Sequence, residues 1–125
     1  MKIAIIEPVG GHSGMDYYDY GLAQGLGNNN VEVLLFTSSK TIIREYTNVE
    51  TIKTFSNVWE TTNKFIRLWY FIFGYLRSFR LSKKKSVSVT HFQFFDLGFL
   101  NCLIVLIASP YKFKKVLTLH DISSF

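Results

Sequence analysis

Cysteine is almost missing from this chain of 125 residues: Cys102 stands alone, inside an apolar run. No disulfide framework and no cysteine-based metal site can form within the chain, which fits a reducing compartment. Apolar runs long enough for a membrane span are missing too. A spanning helix needs about twenty apolar residues. Residues 68–76 give nine uncharged, mostly large apolar or aromatic positions, and Arg67, Arg77 and Arg80 interrupt the pattern around them. Residues 96–108 are too short to span. The amino terminus lacks a basic region followed by an apolar region and a small-residue cleavage site, so a signal peptide is not expected. The glycines around residue 10 are Gly10, Gly11 and Gly14, which is not the Gly-x-Gly-x-x-Gly order of dinucleotide binders, and there is no Gly-x-x-x-x-Gly-Lys phosphate loop. The three histidines match no zinc spacing and no cluster of Asp or Glu accompanies them.

What is present is a globular composition. Apolar residues make up 48% and charged residues 18%, enough for one folded domain and unlike a disordered chain. Aromatics reach 17%, with 12 Phe and 7 Tyr, and that excess calls for a core, a partner surface or a membrane interface. The formal charge of +5 suits an anionic lipid surface, a phosphate-bearing ligand or nucleic acid without choosing among them.

The chain is organised around its first thirty residues. A short apolar strand over residues 2–7 ends at Pro8, and a loop with Gly10 and Gly11 follows. Ser13 or Asp16 is placed to cap a helix in which Tyr18, Leu22, Ala23 and Leu26 recur at helical spacing. Gly27 and three asparagines stop it. Further strands are expected at 31–37, 50–53, 86–91 and 115–119. Helices are expected at 57–81 and 96–108, the second ended by Ser109-Pro110. Strands alternating with helices predict an α/β fold: a Rossmann-like parallel sheet with helices on both faces and strand order 3-2-1-4-5.

That order sends three candidate site segments to one sheet edge: Gly10 with Gly11, then His91, then His120 with Asp121. Ligands of open parallel sheets sit outside the carboxyl ends of the strands. Paired glycines let the backbone approach a ligand, or simply make a tight turn. A histidine at a strand end can donate to a hydroxyl or phosphate oxygen with a neighbouring carboxylate fixing its tautomer, or can bond a backbone carbonyl. His12 is a possible acceptor contact in the glycine loop. The aromatic helix is either a crossover helix packed on the sheet and against a second domain or an element lying in a bilayer interface, with Trp59, Trp69 and Tyr70 at headgroup depth and Lys83 to Lys85 near anionic lipid.

Taken together, Gly10-Gly11, Leu22-Ala23-Gln24-Gly25-Leu26, Asn30-Val31-Glu32-Val33, Thr90-His91-Phe92 and Thr118-Leu119-His120-Asp121 resemble the amino-terminal domain of two-domain GT-B glycosyltransferases of the retaining, nucleotide-sugar-dependent family 4. The resemblance covers the whole chain, through the order and spacing of loose motifs. It implies a hexosyltransferase-like activity, with a nucleotide-sugar donor held mostly by a carboxyl-terminal domain and a glycan or lipid-linked acceptor held by this one. It implies Gly10 and Gly11 near the donor diphosphate, His120 and Asp121 as catalytic residues at the transferred sugar, and His12 and His91 as substrate contacts. No metal or cofactor is implied, since backbone amides, basic side chains and a helix end neutralise the leaving group.

Residues 1–125 are then the incomplete amino-terminal, acceptor-side half of a GT-B fold. On this resemblance a truncated product, a gene fragment or one half of a split enzyme is expected, lacking the donor domain and inactive by itself. The expected location is cytoplasmic, peripheral at the inner face of the cell membrane through residues 59–85, with a partner domain or chain. A different class stays open: a non-catalytic α/β module that binds a nucleotide or a protein. Nucleic acid is not expected, because no basic stripe interleaves with aromatics as in a known binding module.

Overall fold

The computed structural model describes residues 1–10, 15–56, 58, 60–94 and 98–119. Five strands, β1 (Lys2–Ile6), β2 (Glu32–Ser38), β3 (Val49–Phe55), β4 (Val89–Phe94) and β5 (Lys114–Leu119), pair in parallel throughout. Their order is β3-β2-β1-β4-β5, the expected doubly wound arrangement. Three helices, α1 (Met15–Asn28), α2 (Lys64–Lys84) and α3 (Gly98–Ala108), connect them.

Direction across the sheet decides which face each helix covers. The chain moves one way from β1 to β3 and the other way from β1 to β5, so crossovers of one hand place α1 opposite α2 and α3. Two cores follow from the period-two alternation of strand side chains. Ile5, Val33 and Leu35 pack with Tyr20 and Ala23 of α1. Ala4, Ile6, Leu34, Phe36 and Phe92 pack with Tyr75 and Phe79 of α2 and Ile104 and Ala108 of α3. In β1, Ala4, Ile5 and Ile6 are completely buried, which is why that strand reads as a continuous apolar run.

Several ends differ from the sequence expectation, each for a local reason. α2 begins at Lys64 because Asn63 caps it, its Oδ1 accepting from the N–H groups of Phe65 (2.9 Å) and Ile66 (3.3 Å). Asp16 lies inside α1 and is no cap, and Ser13 lies outside the described residues. Gly27 falls within α1 rather than after it; the stop is Asn30, at φ 61. β4 runs to Phe94, so His91 sits in mid-strand, paired with Ile5 and Val116, and is not the strand end that the sequence suggested.

α2 meets the sheet through Gly74, Tyr75, Ser78, Phe79 and Ser82. The Ser78 hydroxyl bonds the Gly74 carbonyl and the Thr54 hydroxyl, both at 2.8 Å, fixing helix to β3. Phe55, the last residue of β3, fills the space a Cβ at Gly74 would need: its ring atoms would lie 2.1–2.7 Å away. Phe71 and Tyr75 hold that ring in place, at centroid distances of 6.3 and 5.1 Å. Alanine is better than glycine in an open helix by about 1 kcal/mol. At position 74 overpacking should outweigh that gain, so Gly74→Ala should lower stability by roughly 1–3 kcal/mol. Gly25→Ala, with nothing within 4 Å of the new Cβ, should raise it. Urea unfolding of both variants checks this, and a raised midpoint for Gly74→Ala would refute the packing described.

Candidate functional site at the carboxyl edge of the sheet

The loop after β1 is tied down by polar groups at the strand ends. The Glu7 N–H donates to the Phe36 carbonyl at 2.9 Å, extending the β1–β2 pairing by one residue. The Glu7 side chain is completely buried, and its Oε1 accepts the Val9 N–H at 2.6 Å. The Ser38 hydroxyl at the end of β2 donates to the Gly10 carbonyl at 2.6 Å. Residues 8–10 are thereby held against the ends of β1 and β2. Gly11 and His12 lie outside the described residues.

A second tie joins α1 to β4. Asp19 is buried, and its Oδ1 accepts from Nε2 of the buried Gln93 at 2.8 Å. Sequence reasoning missed both, and missed Glu7. The signals were present. Asp19 precedes Leu22, Ala23 and Leu26 by three, four and seven positions, which puts a carboxylate on the stripe facing the sheet. Gln93 follows His91 by two, on the same face of a strand. Glu7 ends an apolar strand directly before proline.

Among the described residues, His91 and Thr118 are polar groups of β4 and β5 that stay part-exposed on the α1 face of the sheet. Among the described residues, α1 packs on β1, β2 and β3 and reaches β4 through Asp19 and Gln93, leaving the rest of the β4–β5 half open. On that open half His91 is part-exposed, Val116 is exposed, and His91 Nε2 lies 2.5 Å from Thr118 Oγ1. Parallel register puts His91 level with Val116, and Gln93 level with Thr118. This face therefore presents a part-exposed imidazole and hydroxyl, while the Gln93 amide beside them is buried against Asp19. Such a set hydrogen-bonds hydroxyl groups well. His120 and Asp121 follow β5 and lie outside the described residues.

Among the described residues, no group of three His, Cys, Asp or Glu is arranged to hold a metal ion. No helix among them is long and apolar enough to cross a membrane. A groove of about 710 Å³ lies elsewhere, between α2 and α3, lined in part by Arg80, Lys83, Lys84 and Tyr111. Comparison with protein family models, with curated proteins and with solved structures finds no match.

Tyr75 reports on this edge from the α2 side. It is completely buried, and among the described residues its hydroxyl has no hydrogen-bond partner. Burial, and then the negative charge of Glu7, push its pKa well above the ordinary value of 10.0. Unfolded, the phenol loses its proton near pH 10; folded, it keeps it to higher pH. The folded state then binds more protons, so the stability Tyr75 contributes is complete below about pH 10 and lost as pH rises further. Tyr75→Phe should therefore flatten the decline of the urea midpoint between about pH 9 and pH 11. At neutral pH it should cost little, since the hydroxyl it removes is unpaired. An unchanged alkaline slope would contradict this placement.

Proposed function

We propose that this chain is the acceptor-side α/β unit of a nucleotide-sugar-dependent glycosyltransferase, passing a sugar to a glycan or lipid-linked acceptor. The observation that carries the reading is the position of the open polar patch. The strand order reverses between β1 and β4, and a crevice at such a reversal is where doubly wound sheets bind ligands. His91, Thr118 and the loop through Gly10 lie beside that reversal.

In this reading His91 and Thr118 hold acceptor hydroxyls, and Glu7 and Asp19 set the loop and the helix that frame them. His120 and Asp121 act at the transferred sugar, and Gly10 and Gly11 approach the donor diphosphate. The motif residues Leu22, Ala23 and Leu26 add nothing to the chemistry, since they pack against the sheet. The activity would sit at the cytoplasmic face of the cell membrane, where lipid-linked acceptors are built.

The test is amide chemical-shift mapping of the isotope-labelled chain, titrated separately with a panel of disaccharides and with UDP-glucose. The expected result is that a disaccharide shifts the amides of Gly10, His91, Gln93, Val116 and Thr118, and that His91→Ala weakens the effect several-fold. Shifts at this edge with the nucleotide sugar but with no disaccharide would favour the non-catalytic nucleotide-binding module instead. No shift at the edge with either would overturn the assignment.

A further inference from the structure

α2 is longer than the sheet it packs on. Its 21 residues rise about 30 Å, against about 20 Å for a strand of six. Because α2 returns from the carboxyl end of β3, its first half passes beyond that edge. Gly74 is level with Phe55 at the end of β3, and none of α2 before Gly74 is buried. The overhanging part is aromatic: Phe65 is 78% exposed, Trp69 57% and Phe73 58%, with Ile66 and Tyr70 beside them. Trp69 and Phe73 stack on each other, with centroids 5.3 Å apart.

The same outer stripe changes character along the helix. Positions 65, 69, 73, 76, 80, 83 and 84 follow one another at spacings of three and four, apart from the last two, and so share one face. Its first half is aromatic and its second half is Arg80, Lys83 and Lys84, with Arg77 alongside. Among the described residues none of these four cations is in an ion pair. α3 lies in the same layer and turns Phe99 (80% exposed) and Leu106 (67%) away from the sheet, opposite its buried Ile104 and Ala108. Neither helix carries an acidic residue.

We propose that the outer face of α2 and α3 binds the surface of an anionic lipid bilayer. Trp69, Phe65, Phe73 and Phe99 would enter at headgroup depth, and Arg77, Arg80, Lys83 and Lys84 would lie against lipid phosphates. An amphipathic helix that cannot span but carries aromatics and a basic stripe is built to lie in that interface. Charge selects this occupant. A second copy laid on the same face would add its own uncompensated cations, whereas an anionic leaflet supplies the missing sign over an extended area. A free phosphate would leave the aromatic half uncovered. The face stands apart from the sheet edge, and holds whether or not that edge binds a sugar acceptor.

The experiment is flotation of the full chain with vesicles of phosphatidylcholine containing about 30 mol % phosphatidylglycerol, and with phosphatidylcholine alone. Binding is expected with the anionic vesicles at low salt and should fall steeply as salt rises. Replacing Arg80, Lys83 and Lys84 together by Gln should weaken it about 100-fold, from roughly fivefold per cation. Trp69→Ser with Phe73→Ser should weaken it about tenfold or more while leaving the salt dependence in place. All these positions are exposed, so circular dichroism and the urea midpoint should match the parent. No binding to anionic vesicles at low salt would overturn the proposal, as would binding that neither variant reduces. A dimer that dissociates in the aromatic variant, with no vesicle binding, would assign the face to a second copy and overturn it equally.

Discussion

From Ala4 to Ile6, β1 has water on neither face. Ala4 and Ile6 pack towards α2 and α3, Ile5 packs towards α1, and both edges of the strand are occupied by β2 and β4. A strand of this kind requires helices on both sides, and that requirement shapes everything around it. Each crossover must bring an apolar stripe back to the sheet. In α2 the stripe is Tyr75 and Phe79, seated close because Gly74 has no side chain in the way of Phe55. Burying one large apolar side chain contributes about 1.5–3 kcal/mol, so these few residues at the sheet centre outweigh the exposed ion pairs Lys2–Glu32, Lys40–Glu60 and Lys85–Glu50.

The same constraint makes a polar edge. Where the apolar run of β1 stops, Glu7 is still covered, and its carboxylate is retained by the loop amide of Val9. Asp19 is covered by the same layer of α1 and is retained by Gln93. Past that contact, among the described residues, His91 and Thr118 stay part-exposed on the face of β4 and β5. The molecule thus divides into a buried centre, a polar edge, and an aromatic and basic outer face on the helices that cover the other side.

The fold was legible because its signals are long-range and periodic. The apolar runs at 3–6 and 33–36 and their alternation with helical segments were enough for the strand order. Ends were less legible because they depend on single side chains. Asn63 moves the start of α2 several residues past the expectation through two hydrogen bonds, and β4 continues beyond His91 because Gln93 finds a partner in Asp19, a contact across 74 positions. The candidate site was legible only as loops after strands. Its buried carboxylates were hidden, since a lone Glu or Asp in an apolar segment signals nothing until the facing element is known. For the aromatic helix the structure bears on one reading: it is a crossover helix packed on the sheet, with a separate aromatic face turned outward.

The central claim is that β1 and the helix residues seated on it form the stable unit, with the first half of α2 extending past it. Native-state hydrogen exchange in low urea tests that most directly, since amides in a cooperative core open only with global unfolding. The slowest amides should be those of Ala4, Ile5 and Ile6, their β2 neighbours Leu34 to Phe36, and α2 from Ser78 onward. Residues 68–73, though hydrogen-bonded within the helix, should exchange far faster. Equal protection along the whole of α2, or β1 amides exchanging as fast as the overhang, would contradict the account.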